Sequence, residues 1–122
     1  MHNLTVTELS ATELAHWQAE HKPFVLLDVR RSQALAASGV QITGAQWMDP
    51  ALWLDWKDHI ATDTPVVLYC AHGHEISLGL TATLLAMGVD ARALEGGMSG
   101  WQAQGLAVQP MAGAMPAPGG GQ

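Results

Sequence analysis

The chain has 122 residues, 48% of them hydrophobic, and a formal net charge of −6 at pH 7. This length and composition predict one globular domain with a core and argue against a disordered chain. The acidic balance disfavours nucleic-acid binding, which needs basic surface to neutralise phosphates. The sequence also lacks the basic amphipathic face that binds anionic membranes and any run of roughly 20 apolar residues that would span one.

Signals of export are absent from the start of the sequence, where no basic region precedes an apolar stretch. The chain contains one cysteine, Cys70. No intrachain disulfide can therefore form, which fits a reducing compartment. We expect a cytoplasmic monomer.

The first quarter of the chain predicts a helix followed by a buried strand. Ser10 and Glu13 have the spacing of a capping box, and Leu14 and Trp17 follow on one helical face, so a helix is expected over residues 11–20. Residues 24–27 form a continuous apolar run, which is typical of a strand buried on both faces of a parallel sheet.

The middle of the chain predicts shorter elements. A helix is expected over residues 31–37, ending near Gly39, and a strand over residues 45–48. Asp49 and Pro50 then begin a helix that contains Leu52, Trp53 and Trp56. The spacing of the two tryptophans usually indicates core packing, although they are also candidates for walls of an active-site mouth.

The second half predicts two further strands, each followed by a helix. Residues 66–69 are apolar, β-branched or aromatic, and Cys70 follows them directly. A loop over residues 71–76 leads to a helix over residues 77–87, with Leu80, Leu84 and Met87 on one face. A strand over residues 91–94 precedes a short helix around Trp101. This alternation predicts an α/β layered domain with a mostly parallel sheet.

The last residues differ in composition from the rest. Residues 110–122 are rich in Gly, Pro and Ala, and such a segment buries too little surface to order itself. We therefore assign residues 1–109 to the domain and residues 110–122 to a flexible tail.

Cys70 lies where parallel sheets place reactive groups, at the C-terminal end of a strand. A loop that wraps around the sulfur and leads into a helix can direct N–H groups and positive potential at it, which lowers the pKa of the thiol. His72 and His74 would add charge when protonated, whereas Glu75 acts in the opposite sense. From its position alone, Cys70 is either a reactive thiol or a buried structural cysteine.

Four segments carry a resemblance to a known family. They are Leu27-Asp28-Val29-Arg30, Ile42-Thr43-Gly44-Ala45, Tyr69-Cys70-Ala71-His72-Gly73 and Leu94-Glu95-Gly96-Gly97-Met98-Ser99-Gly100-Trp101. In this order and spacing, the set resembles the rhodanese-like domain superfamily over residues 4–108. The resemblance implies a rhodanese-like α/β fold, a mostly parallel twisted sheet flanked by helices on both faces.

The resemblance implies a single-domain sulfurtransferase that carries sulfur as a persulfide on Cys70. A donor such as thiosulfate would supply the sulfur, and cyanide, a thiol or a protein would accept it, without metal or organic cofactor. The persulfide would be bound by a loop formed by Ala71, His72, Gly73, His74, Glu75 and Ile76. Asp28 and Arg30 are candidates for a catalytic role, but the family likeness favours a buried ion pair that holds the domain together. It also implies that Trp101 packs in the core, and Gly96 and Gly97 are expected to be structural.

Departures from the family pattern leave alternatives open. Ser77 follows Cys70 by seven residues rather than the six of many single-domain members, which suggests a longer loop, as in phosphatase and arsenate-reductase relatives. Those relatives clamp an oxyanion with an arginine, yet Ile76 occupies that position and no Arg or Lys lies between Cys70 and Arg92. The family's Gly-His-Ile-Pro-Gly-Ala has also lost its histidine and proline here.

Two other classes of function compete with the enzyme. The fold is also used as a sensor or a module that docks partners, and a fold alone does not fix function. The Cys-x-His-x-His pattern of Cys70, His72 and His74 hints at a metal, but the sequence offers no second cluster to supply a fourth ligand for a closed zinc site. We expect no bound metal.

Overall fold

The computed structural model describes residues 6–73 and 75–110. In chain order the elements are β1 (Glu8–Leu9), α1 (Ala11–Ala19), β2 (Val25–Asp28), α2 (Ser32–Ser38), β3 (Val40–Ile42), β4 (Gln46–Trp47), a 3₁₀ turn (Pro50–Leu52), α3 (Trp53–Trp56), a second 3₁₀ turn (Lys57–His59), β5 (Val66–Tyr69), α4 (Glu75–Ala86), β6 (Ala91–Leu94), α5 (Gly97–Ala103) and β7 (Val108–Pro110).

Five strands form one parallel sheet in the order β1-β6-β5-β2-β4. The central strand β5 pairs with β2 in a register that sets Asp28 beside Tyr69. The carboxyl ends of all these strands therefore meet at one edge, which we call the carboxyl edge. The predicted α/β fold with a mostly parallel sheet is confirmed.

Core residues alternate between the two faces of the sheet. Leu26, Val67 and Tyr69 pack with Leu14 of α1 and Trp101 of α5. Val66, Leu68 and Cys70 pack on the other face with Leu84 of α4. Because side chains on a strand alternate between faces, this arrangement fixes the side of the sheet on which Cys70 lies. Helices cover both faces, as predicted.

Most predicted elements are confirmed with small shifts of boundary. The capping box is present, since the N–H of Glu13 donates to Ser10 Oγ at 3.1 Å and the N–H of Ser10 donates to the Glu13 carboxylate. Trp101 is fully buried, and its indole N–H donates to the Ala107 carbonyl at 2.9 Å.

Two details of the predicted helix after Cys70 are wrong. Helix α4 begins at Glu75 rather than Ser77, so Glu75 and Ile76 occupy its first turn instead of the loop. An acidic residue in the first turn is stabilised by the helix dipole. The buried face consists of Ser77, Thr81 and Leu84, whereas Met87 lies beyond the end of the helix and is exposed.

A second, smaller sheet was not predicted. It pairs β3 with β7 in antiparallel orientation, and Val40 is the partner of Pro110. Pro110, the first residue of the predicted flexible tail, is thus the last residue of β7. Residues 111–122, the rest of the predicted tail, lie outside the described residues.

Candidate active site

Cys70 lies immediately after β5, at the carboxyl edge, and is 6% exposed. Its Sγ is 3.2 Å from the Oγ of Ser77, a fully buried residue in the first turns of α4. The hydroxyl of Ser77 can donate a hydrogen bond to a thiolate at this distance. Helix α4 therefore provides a polar partner for the sulfur on an otherwise apolar face.

The loop after Cys70 is held from one side by the first turn of α5. The N–H groups of Met98 and Ser99 donate to the carbonyls of Cys70 and Ala71, each at 2.9 Å. In a planar trans peptide the N–H points away from the carbonyl of the same unit. The N–H groups of Ala71 and His72 therefore point away from α5, and neither makes a hydrogen bond with any residue in the described part of the chain.

Two glycines allow the cysteine loop to approach the turn before α5. Gly73 and Gly97 have positive φ angles of 76° and 56°. A Cβ at Gly73 would lie 2.7 Å from the backbone nitrogen of Gly96, and a Cβ at Gly97 would overlap the carbonyl oxygen of Cys70. The Glu-Gly-Gly segment is thus structural, as predicted, and its specific task is to support the cysteine loop.

A cavity of about 400 Å³ opens beside the sulfur. It is lined by Arg31, Cys70, Ala71, His72, Glu75 and Ile76. Five of these were named from the sequence, and the fold brings them together. The loop residue Gly73 is buried, and His74 lies outside the described residues. Arg31 was not anticipated.

Comparison with known proteins agrees with this arrangement. The sequence model of the Rhodanese-like domain family matches residues 10–104. The chain belongs to the rhodanese-like family. It is 33% identical over 93 residues to the thiosulfate sulfurtransferase GlpE of Actinobacillus succinogenes, a match that covers 75% of this chain and 81% of that protein.

Solved structures show the same fold. A rhodanese-like domain protein from Staphylococcus aureus has a TM-score of 0.75 and 25% identity, over 88% of this chain and 100% of that one. A protein from Rhodopseudomonas palustris, described as a possible tyrosine phosphatase, has a TM-score of 0.74 and 21% identity, over 85% of each chain. The second likeness concerns the fold alone.

A histidine lies at the rim of the cavity in this rhodanese-like chain. His72 is exposed, and its Nδ1 is 2.9 Å from the Oγ of Ser99. Ser99 is the residue whose N–H binds the Ala71 carbonyl. Helix α5 therefore positions both the loop backbone and the imidazole ring.

A buried polar network lies next to the site, at the end of β2. The carboxylate of Asp28 accepts hydrogen bonds from the Nε and Nη2 of Arg30, at 2.7–3.1 Å, and from the hydroxyl of Tyr69 at 2.9 Å. Gln41 donates to it at 3.3 Å. Asp28 and Arg30 are 0% and 2% exposed, so the buried ion pair implied by the family likeness is present.

Burial raises the pKa of Tyr69 far above its ordinary value, and the adjacent Asp28 carboxylate raises it further. Tyr69 therefore stays protonated and donates to Asp28. Its oxygen in turn accepts the N–H of Ile42 at 3.1 Å. This network joins β2, β3 and β5, so Asp28 and Arg30 have a structural role in this chain.

The other sequence candidates have structural positions. Trp53 and Trp56 pack edge to face with ring centroids 4.9 Å apart; Trp56 belongs to the buried core cluster and Trp53 packs against it, so core packing is confirmed. Residues 6–73 and 75–110 contain no group of three or more His, Cys, Asp or Glu side chains placed to bind a metal. Within the same residues, no helix is both long enough and apolar enough to cross a membrane.

Arg31 lines the cavity although it lies far from Cys70 in the sequence. The pairing of β2 with β5 sets Asp28 beside Tyr69. Residues that follow Asp28 therefore lie beside those that follow Tyr69. Applied to the two predicted strands, this property of parallel neighbours would have placed Arg31 near the cysteine loop.

Proposed function

We infer that this protein is a sulfurtransferase that transfers a sulfane sulfur from a donor such as thiosulfate to a thiophilic acceptor. The observation that carries the proposal is the position of Cys70 at the carboxyl edge, beside a cavity and next to the N–H groups of Ala71 and His72, which have no hydrogen-bond partner among the described residues. The 33% identity of the chain to a thiosulfate sulfurtransferase supports the same activity.

In the first step the thiolate of Cys70 attacks the outer sulfur of thiosulfate. A new S–S bond forms to Cys70, the S–S bond of thiosulfate breaks, and its electron pair leaves with sulfite. The product is an anionic persulfide. The N–H groups of Ala71 and His72 stabilise the negative charge on the terminal sulfur, as preorganised donors do in other sites with developing anions.

In the second step the acceptor attacks the terminal sulfur, and the Cys70 thiolate leaves. When the acceptor is a thiol, it must lose its proton to become a nucleophile. His72 is exposed at the cavity rim with its ring held by Ser99, and it is the group suited to take that proton. The two half-reactions make this covalent catalysis with ping-pong kinetics, without metal or organic cofactor.

Intact-mass measurement after incubation with thiosulfate tests the proposal directly. We expect the protein to gain the mass of one sulfur atom and to lose it when cyanide or a thiol is added. Cys70→Ser is the control and should gain nothing. Failure of the unmodified protein to gain sulfur from thiosulfate or any other sulfane donor would refute the proposal.

A further inference from the structure

The cavity beside Cys70 contains a cation whose role the proposed reaction has not used. Arg31 follows Arg30 in the sequence, but the two side chains have different surroundings. Arg30 is buried, and its guanidinium is bound by Asp28 and by the Val40 carbonyl. Arg31 is exposed and lines the cavity that contains the sulfur.

The guanidinium of Arg31 has no structural task within residues 6–73 and 75–110. It makes no hydrogen bond there and has no carboxylate within ion-pair distance. Arg31 is the N-cap residue of α2, yet its side chain makes no capping hydrogen bond. Its removal should therefore leave the fold unchanged.

A local cation matters in a protein of this charge. The chain carries a net charge of −6, so its overall field opposes the approach of an anion. Glu75, an acidic residue, also lines the cavity. Arg31 carries a permanent positive charge that can offset both effects, and its planar fork fits two oxygens of a sulfonate-like group.

We propose that Arg31 binds the anionic oxygens of the sulfur donor and orients its outer sulfur toward Cys70. The site would then favour donors whose leaving group is an oxyanion, such as sulfite from thiosulfate. Attack by Cys70 expels that group beside Arg31, where the positive charge stabilises it. This assignment of donor class rests on the proposed function, whereas the positive potential of Arg31 at the sulfur does not.

Steady-state kinetics test the donor assignment. Arg31→Gln should lower kcat/KM for thiosulfate by about five- to tenfold, mainly through KM, and Arg31→Lys should recover part of the loss. The reaction of the persulfide with cyanide should fall less than the reaction with thiosulfate, because cyanide has no pair of oxygens for the guanidinium to bind. Lys22→Gln is the matched control, because Lys22 is an exposed cation before β2, at the opposite end of the strand from Arg31.

Two alkylating agents test the potential at Cys70 without sulfur transfer. Iodoacetate is an anion and iodoacetamide is neutral, so the ratio of their rate constants reports local charge. Arg31→Gln should lower this ratio about three- to fivefold, Glu75→Gln should raise it, and Lys22→Gln should leave it unchanged. Added salt should shrink the first difference.

The two measurements distinguish failure of the proposed function from failure of the role of Arg31. If the unmodified protein takes up no sulfur but the ratio responds to Arg31, the proposed function is wrong and the cation still acts on Cys70. If sulfur uptake occurs and neither KM nor the ratio responds to Arg31→Gln, this inference is wrong. In that case Asp49, which borders Arg31 in a neighbouring cavity, would be the partner of the guanidinium in solution.

Discussion

The ends of β2 and β5 lie side by side at the carboxyl edge, but the polar group at the end of β2 is buried and bound, whereas the one after β5 faces a cavity. Asp28 ends β2 and is fully buried, with a carboxylate bound by Arg30, Gln41 and Tyr69. Cys70 follows β5 and opens onto a cavity of about 400 Å³. Asp28 joins three strands, so that the loop one strand away can remain accessible.

The groups that stabilise the fold and the groups of the candidate active site thus lie on neighbouring strands. In the buried network, the charges of Asp28 and Arg30 are removed from water. Removal of either partner therefore leaves the other charge buried without a counter-charge. In the cysteine loop, α5 binds the carbonyls of Cys70 and Ala71, and the N–H groups of Ala71 and His72 make no hydrogen bond within residues 6–73 and 75–110. Substitutions should therefore divide into those that unfold the protein and those that change only reactivity.

Cys70→Ser should have the largest effect on activity. The oxygen of serine is a poor nucleophile toward sulfane sulfur and cannot carry a persulfide, so sulfur transfer should fall to background. The melting temperature should change little, because serine is nearly isosteric and Ser77 can bind its hydroxyl. Transfer assays and thermal melts on both proteins check this. Retained transfer by the folded variant would contradict the role of Cys70.

Asp28→Ala should have the largest effect on stability. It leaves the buried guanidinium of Arg30 without its counter-charge, and breaking such a pair costs about 3–5 kcal/mol. Denaturant unfolding measures the loss. The double variant Asp28→Leu, Arg30→Met is the control and should recover much of the stability, since it removes both charges. Equal losses in the two variants would mean that the cost comes from packing.

Much of this division was visible in the sequence, since the apolar runs at β2 and β5 predicted the strands that position both sites. The capping box of Ser10 and Glu13 likewise fixed the start of α1. The short strands β1, β3 and β7 were missed because two or three residues show no hydrophobic period. Their partners are distant in sequence, as with Val40 and Pro110.

Helix α4 also begins two residues earlier than the sequence predicts. Glu75 and Ile76 instead form the first turn of the helix. Sequence spacing alone did not show that Ser77 would face the sulfur or that Ser99 would hold His72. Those contacts arise from the way α4 and α5 approach the same loop.

Ile76→Arg should create an oxyanion clamp. Ile76 lines the Cys70 cavity, and an arginine there adds a planar fork worth about 1.5–3 kcal/mol, or one to two orders of magnitude in phosphate or vanadate affinity. Glu75 would reduce the gain by pairing with the new cation. Ile76→Met controls for packing, and thermal melts show whether the variant folds. Strong turnover of an aryl phosphate by the unmodified protein would contradict the preference for sulfur chemistry.

Tyr69 should make the buried network sensitive to high pH. Its pKa is raised in the folded state, so the native protein retains a proton that the unfolded chain loses above about pH 10. The free energy of unfolding should therefore fall above that pH by up to about 1.4 kcal/mol per pH unit. Tyr69→Phe should be less stable at neutral pH but should lack this slope. The chain contains one tyrosine, so equal slopes in the two proteins would assign the loss to other groups.

Ser77→Ala should have the smallest effect, confined to the acidity of Cys70. Burial raises the pKa of a thiol, whereas the Ala71 and His72 N–H groups, the start of α4 and the Ser77 hydroxyl favour the thiolate. We expect the hydrogen-bond donors to win, so the pH profile of iodoacetamide alkylation should give an apparent pKa below the ordinary value of about 8.5. Removing the Ser77 hydroxyl, 3.2 Å from the sulfur, should move that pKa upward. Thr83→Ala, on the exposed side of the same helix, is the matched control and should leave it unchanged. An unmodified protein with a pKa at or above about 8.5 would mean that burial outweighs the donors, and the thiolate needed for sulfur transfer would then be scarce at neutral pH.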